Sequence, residues 1–292
     1  MKLYAPSYYK DFECIADKCT HSCCIGWEID IDEETLEKYK TIKNGYGVVI
    51  VNSISFEDTP HFKLCENDRC PHLDKKGLCK IILNYGKDHL CQICSEHPRF
   101  YNYTSVAEVG IGMSCEESAR IILTSKDYHE ITEIGQVDTE PFDIDFDGHT
   151  LRQEIYQILK NETQDYEKRL DEIYSKYKID KKSDSQYNEI LDSLEYLDIE
   201  SKMLFQGYSS KKRPKGKEKY QERLLAYFIY RHCTEATDNE DFCQKLSFCL
   251  FCERLFASLI YDISDLEEIV NIARIISTEI EYSEENTSAL TY

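Results

Sequence analysis

No apolar run in this sequence approaches the roughly 20 residues that a helix needs to cross a bilayer, so a membrane-spanning helix is excluded. The opening stretch MKLYAPSYYKDFEC lacks the basic-then-apolar pattern of a secretory signal, and the expected compartment is the cytosol. Positive charge is scarce: 35 Lys and Arg face 55 Asp and Glu in 292 residues, a net charge of −20. Nucleic-acid surfaces draw their affinity from cations set against phosphates, so this balance argues against one. It favours basic polypeptides or cationic small molecules as partners. Internal repeats and low-complexity segments are absent too. What is present is a 41% hydrophobic share, enough for a sizeable core, in a chain whose length suggests about two domains.

The composition divides the chain. Ten of the fourteen cysteines precede residue 116, and residues 129–292 hold most of the excess acid, a net −15 against −5 before them. The stretch Asp127–Gly148 has many acidic residues and neither helical nor strand periodicity. The expected organisation is a cysteine-rich domain over 1–128, an acidic linker or loop over 129–149 and an all-α domain over 150–292. In the last, apolar spacing predicts helices over Thr150–Ile179, Gln186–Phe205, Lys217–Ala236, Asp241–Ile263 and Asp265–Tyr282. Ser264 with Glu267 reads as a capping box. The first part is more irregular. Asp32 is expected to cap a helix reaching Asn44, the β-branched run Val48–Phe56 to form a strand paired with His61–Cys65, and Leu78–Tyr85 to be a short helix stopped by Gly86. The fold class is therefore mainly α, with an irregular, metal-binding N-terminal domain that carries a small β-hairpin. The basic island SSKKRPKGKEK, Ser209–Lys219, reads as a solvated loop or as a site for an acidic ligand.

The cysteines carry the chemistry. Cys14, Cys19, Cys23 and Cys24 form C-x4-C-x3-C-C; Cys65, Cys70 and Cys79 follow, then the C-x2-C pair Cys91 and Cys94, then Cys115. In a reducing compartment such density points to metal or cluster ligands before disulfides, redox switching or chance burial. Four thiolates complete one zinc or one iron–sulfur site, so ten allow two sites, or one site and structural thiols. Ser114 and Glu117 form a second capping box, which puts Cys115 in the first turn of a helix over Glu116–Leu123, where exposed amides favour a thiolate. Arg99 reads as a surface ion pair or as a carboxylate or anion contact beside the metal. Cys243, Cys249 and Cys252 fall among Phe242, Phe248, Leu250 and Phe251 at helical spacing and read as small apolar core residues.

FECIADKCTHSCCIGWEIDID from Phe12, RCPHLDKKGLCKI from Arg69, LCQICSEHPRF from Leu90 and MSCEESARI from Met113, continued by LLAYFIYRH from Leu224 and ARIISTEIEYSEEN from Ala273, give the chain a family likeness. It resembles the flagellin lysine-N-methylases, within the wider group of bacterial proteins bearing a CxxCxxCC-type cysteine motif. The resemblance implies that Cys14, Cys19, Cys23, Cys24, Cys70, Cys79, Cys94 and Cys115 are the ligand cysteines, with Cys65 and Cys91 extras of this sequence. It implies S-adenosylmethionine as methyl donor, an iron–sulfur cluster (zinc as the alternative) and surface lysines of flagellin as substrate, hence a protein-lysine methyltransferase. The other reading is a non-catalytic metal or cluster module that senses iron or redox state or escorts a basic partner.

Two familiar ways of holding that donor are missing. Gly110-Ile111-Gly112 is too short for a glycine-rich strand-to-helix fingerprint. Cys19 and Cys23 begin a C-x3-C-x2-C pattern, but Gly26 or Trp27 stands where its third cysteine would fall. A lysine amine of pKa about 10.4 must also lose its proton, which costs on the order of 4 kcal/mol at neutral pH. Desolvation beside a sulfonium lowers that pKa, and aromatic faces tolerate both cations. Tyr8, Tyr9, Tyr101 and Tyr103 lie near the cysteine motifs in sequence, and Glu279, Glu281, Arg231 and His232 are read as helix–helix ion pairs or as the lining of a cleft.

Overall fold

The computed structural model describes residues 1–43, 45–142, 146–208 and 213–291, which fall into two compact units, one of residues 13–100 and one of residues 1–12 with 101–292. The units divide the chain elsewhere than at residue 128, because strand β1 (Lys2–Pro6) pairs with strands more than a hundred residues later.

In residues 13–100, helix α1 (Glu33–Thr41) starts where Asp32 Oδ1 accepts the Thr35 amide at 2.9 Å, with Glu33 and Glu34 favouring the positive end of its dipole. It ends at Thr41; Asn44, the expected end, lies outside the described residues. The run expected as a strand from Val48 is instead helix α2 (Tyr46–Asn52), entered through Gly45 at φ +48°. Ile50 is buried while Val48 and Val49 face out, so packing of one side chain overrides β-branched propensity. Only the end of the run is extended: β2 (Ile54–Ser55) pairs antiparallel with β3 (His61–Phe62), the expected hairpin in shortened form. Helix α3 (Lys80–Tyr85) stops at Gly86, whose φ of +88° suits glycine, and α4 (Gln92–Glu96) follows.

Strand β4 (Arg99–Tyr103) and β5 (Ala107–Ile111) precede helix α5 (Glu116–Thr124) and strand β6 (Ile131–Gln136). The sheet order is β4-β5-β1-β6, with β1 parallel to β5 (Leu3 opposite Ala107) and antiparallel to β6 (Ala5 opposite Thr132). Within the expected acidic linker or loop over 129–149, residues 131–136 are instead an edge strand, exposed along most of its length, which is why no apolar alternation marks it. The masked residues 143–145 of that stretch lie outside the description.

Helices α6 (Gly148–Leu159), α7 (Tyr166–Lys176), α8 (Asp184–Ser193), α9 (Ile199–Gln206), α10 (Glu218–His232), α11 (Asn239–Leu259), α12 (Leu266–Ile276) and α13 (Glu284–Thr291) complete the mainly α architecture. Each of the first two expected spans is broken in two, at Lys160 and at Leu194. At the second restart Asp198 accepts the Ser201 amide at 2.6 Å. Ser183 and Gln186 close a capping box on α8. The box expected from Ser264 is displaced by one residue, since Asp265 accepts the Glu268 amide. The Ser114 box does not form: Cys115 is itself the N-cap of α5, with no side-chain cap bond, and Ser114 Oγ is buried without a hydrogen-bond partner. Gly148 starts α6 against the end of α10, where a Cβ would lie 3.0 Å from the carbonyl oxygens of Cys233 and Thr234. Helices α10 and α11 bury residues around most of their circumference, as central helices do. Each buried Phe or Leu there contributes about 1.5–3 kcal/mol of transfer free energy.

Candidate metal centre

The thiols of residues 13–100 are gathered by backbone pairing of short, irregular segments. The Cys70 amide donates to the Cys24 carbonyl at 2.8 Å, Ile25 bridges to Arg69, and Leu73 bridges to Cys79. Asp32 ties α1 to α4, since its Oδ2 accepts the Gln92 amide at 2.7 Å beside Cys91, the N-cap of α4. Tyr39 donates to the His89 carbonyl at 2.6 Å and fixes the approach to that cap. In consequence Cys24, Cys70, Cys79, Cys91 and Cys94 share one core with Tyr39, Phe62, Leu73 and Ile81.

The electrostatics are those of crowded thiols. A hydrogen bond with Cys23 lowers the Cys24 thiol to about 7 against the effect of burial, with help from Ser22 and Arg69. Burial pushes Cys70 up to about 12 and raises Cys79. The Cys94 thiol donates to Cys91, which lowers Cys91 and raises Cys94. Burial, then the neighbouring Cys91, Cys94 and Cys79, raise Tyr39.

Of the eight cysteines implied as ligands, seven lie in residues 13–100. Cys14 and Cys23 are exposed, and Cys19 is half-buried with its Sγ 3.2 Å from the His21 carbonyl. Cys115 stands in the other unit. Of the two supposed extras, Cys65 is exposed, but Cys91 is 1% exposed and sits among the clustered thiols. The C-x2-C spacing put it beside Cys94, and it was the resemblance that set it aside as an extra. Soft thiolates suit zinc and iron–sulfur clusters by type. Their geometry is paired rather than convergent: among the described residues no three Cys, His, Asp or Glu side chains come together closely enough to hold a metal ion. The Arg99 Nη1 lies 3.5 Å from the carbonyls of Ser95 and Glu96, at the end of α4.

Residues 101–292 hold a second polar cluster. The side chain of Glu281, in a π-helical turn (Ser277–Glu281), is fully buried and meets His232 Nε2 at 2.7 Å, Arg231 Nε at 3.3 Å and the Tyr227 hydroxyl at 3.0 Å. Ser277 also donates to it. Arg231, then His232, hold the Glu281 carboxyl below its usual range although burial opposes this. The Tyr227 hydroxyl accepts the Met113 amide at 3.1 Å and Arg231 Nη1 at 2.9 Å. This is helix–helix ion pairing, the first of the two roles expected of these residues. Glu279 accepts the Leu197 amide at 2.9 Å. Tyr8 is buried in the same unit, and Tyr101 and Tyr103 stack with centroids 6.2 Å apart. In the basic island residues 209–212 lie outside the described residues; Arg213 pairs with buried Glu253, and Lys217 donates to the carbonyls of Ile260 and Tyr261. Cys233, Cys249 and Cys252 are buried in the helical core, and Cys243 is half-buried.

Fold and thiols together define a mainly helical protein with a cysteine-rich unit. Over 130 residues, 42% of this chain and 77% of the relative, it is 28% identical to the flagellar biosynthetic protein FliU of Salmonella muenchen. Over 137 residues it is 26% identical to proteins named lysine-N-methylase from Salmonella choleraesuis and Salmonella typhimurium, a match covering 44% of this chain and 34% of each of theirs. The chain is thus a distant relative of proteins named lysine-N-methylase, and the match spans about a third of their length. No family profile matches the chain, and no solved structure matches it. Among the described residues no helix is long and apolar enough to cross a membrane.

Proposed function

We propose that the protein methylates lysine side chains on the surface of flagellin, with S-adenosylmethionine as donor, in the cytosol before export. The observation that carries this reading is the similarity to two proteins named lysine-N-methylase, accompanied by one named for flagellar biosynthesis. In the transfer, the bond from the donor's sulfonium sulfur to its methyl carbon breaks as the bond to lysine Nζ forms. The electron pair of the broken bond stays on sulfur, and the Nζ proton leaves to water or to a base. The excess acid of residues 129–292 supports a basic protein substrate.

The same reading assigns an iron–sulfur cluster, or zinc in its place, to the cysteine-rich unit. Cys19, Cys24, Cys70, Cys79 and Cys94 are the buried or half-buried members of the implied set there, with Cys14, Cys23 and Cys115 as the remainder. Bound, an iron–sulfur centre supplies electron transfer and zinc supplies a structural crosslink. Because the thiols stand in pairs, loading requires them to close around the metal, so metal binding is coupled to the folding of this unit.

The test is mass spectrometry of flagellin incubated with anaerobically prepared, metal-loaded protein and S-adenosylmethionine. Successive additions of one CH₂ on lysine support the reading. No gain under any salt or redox condition overturns it and leaves the non-catalytic sensor or escort.

A further inference from the structure

In a chain of net charge −20, one small cavity gathers cations. It measures about 130 Å³ and is lined by Lys126, Lys160, Lys219, Arg223 and His129, with Tyr128, Glu162 and Glu222. Three segments of residues 101–292 meet there: the turn after α5, the end of α6 and the first turns of α10. Both carboxylates already have partners. Glu222 pairs with Arg169 at 3.2 Å and accepts from the Tyr128 hydroxyl, and Glu162 pairs with Lys219 at 3.2 Å. Lys126 and Lys160 make no ion pair among the described residues. Arg223 is half-buried; its Nη1 donates to the Leu123 carbonyl at 2.6 Å, and burial lowers its pKa although Glu222 opposes this. His129 keeps a buried Nδ1 without a hydrogen-bond partner, and burial, then Lys160, lower its pKa against Glu130, Asp127 and Glu222.

Helix ends account for two of these residues one at a time: Lys160 caps α6, and Lys126 follows α5, where cations offset the dipole. They do not account for the convergence of Lys126, Lys160, Arg223 and an unpartnered imidazole nitrogen on one cavity. Glu162 and Glu222 answer part of this charge, and an anion in the space would supply counter-charge to the rest. The cavity is smaller than the roughly 300–1,000 Å³ typical of whole-ligand pockets, so it admits one compact anionic group. Cations from several directions suit a tetrahedral oxyanion better than a planar carboxylate, which one bidentate arginine satisfies.

We propose that this cavity is a binding site for a single phosphoryl group, either free phosphate or the phosphate of a larger molecule whose remainder stays outside. The site is independent of the methylation reading, because nothing in that chemistry requires it.

The experiment is titration calorimetry of the full chain with inorganic phosphate at fixed ionic strength, chloride being the replaced anion. One site per chain is expected. Lys126 and Lys160 are exposed, so the variant K126Q/K160Q should keep the wild-type melting temperature in chloride while binding phosphate on the order of tenfold more weakly. R223Q should bind more weakly still, and its melting temperature in chloride shows whether the loss is one of folding. Tighter binding of adenosine monophosphate than of phosphate identifies the phosphate as part of a larger ligand; equal or weaker binding identifies the free ion. Absence of saturable phosphate binding, equal binding by K126Q/K160Q, or a preference for acetate over phosphate would each overturn the assignment.

Discussion

His232 Nε2 lies 2.7 Å from the Oε1 of Glu281, a carboxylate with no exposed surface. Burial nevertheless keeps the His232 pKa below its ordinary value, the Glu281 contact notwithstanding, with Arg231 and Lys245 adding to the depression. The unfolded chain therefore binds more protons than the native one as pH falls through about 6.5, and stability should fall with it. A second loss should begin below about 4.5, where the unfolded chain takes up the proton that Glu281, held low chiefly by Arg231, refuses. Melting temperatures of wild type and H232Q between pH 7 and pH 5 check this. The variant should show the shallower slope, and parallel slopes would refute the assignment to His232.

Glu281→Gln should be costly for a different reason. The substitution leaves Arg231, 14% exposed in its side chain, without its buried counter-charge. Breaking one side of a buried pair costs about 3–5 kcal/mol, because the remaining charge is uncompensated. Removing both, as in E281Q/R231M, should cost less than the sum of the single substitutions. Urea unfolding of the four proteins completes the cycle, and strict additivity would show that the two residues do not act as a pair.

These residues illustrate what the sequence could and could not reveal. Helical periodicity located the α10, α11 and α12 regions because each helix buries a long apolar pattern of its own. The four-stranded sheet left no comparable trace. Leu3 meets Ala107 on one side and Gly135 on the other, so the pattern that defines β1 is distributed over three distant segments. The cysteines were legible as a set but not by role, because spacing counts thiols without showing burial: the resemblance sets Cys65 and Cys91 aside together, although one is exposed and the other buried. The Ser183–Gln186 box could have been read from its S-x-x-Q spacing, whereas the break at Lys160 could not, since apolar residues continue in helical phase on both sides.

If the proposed metal assignment holds, the burial difference between Cys91 and Cys65 predicts a hierarchy of metal loss. Serine at Cys70, Cys79 or Cys91 should reduce the metal content of anaerobically purified protein and lower the stability of the cysteine-rich unit, whereas serine at exposed Cys65 should do neither. Cys252→Ser should keep the metal and cost about 1–3 kcal/mol, the usual effect of a hydroxyl placed in an apolar core. Elemental analysis per variant separates these classes. Full metal retention in C91S would show that this thiol only packs beside the centre.

The acidity of residues 129–292 predicts how the proposed reaction responds to salt. A net −15 there attracts lysine-bearing surfaces from a distance, and the attraction is screened as ionic strength passes about 0.1 M, where the Debye length is about 10 Å. The encounter step depends on that long-range field, whereas transfer within a desolvated site does not. Methylation of flagellin at low substrate should therefore slow steeply between low and physiological salt, with the maximal rate changing much less. Initial rates from the mass-spectrometric assay at several flagellin concentrations separate the two quantities. A kcat/KM independent of salt would mean that the excess acid of residues 129–292 takes no part in capturing the substrate, even if methylation itself is found.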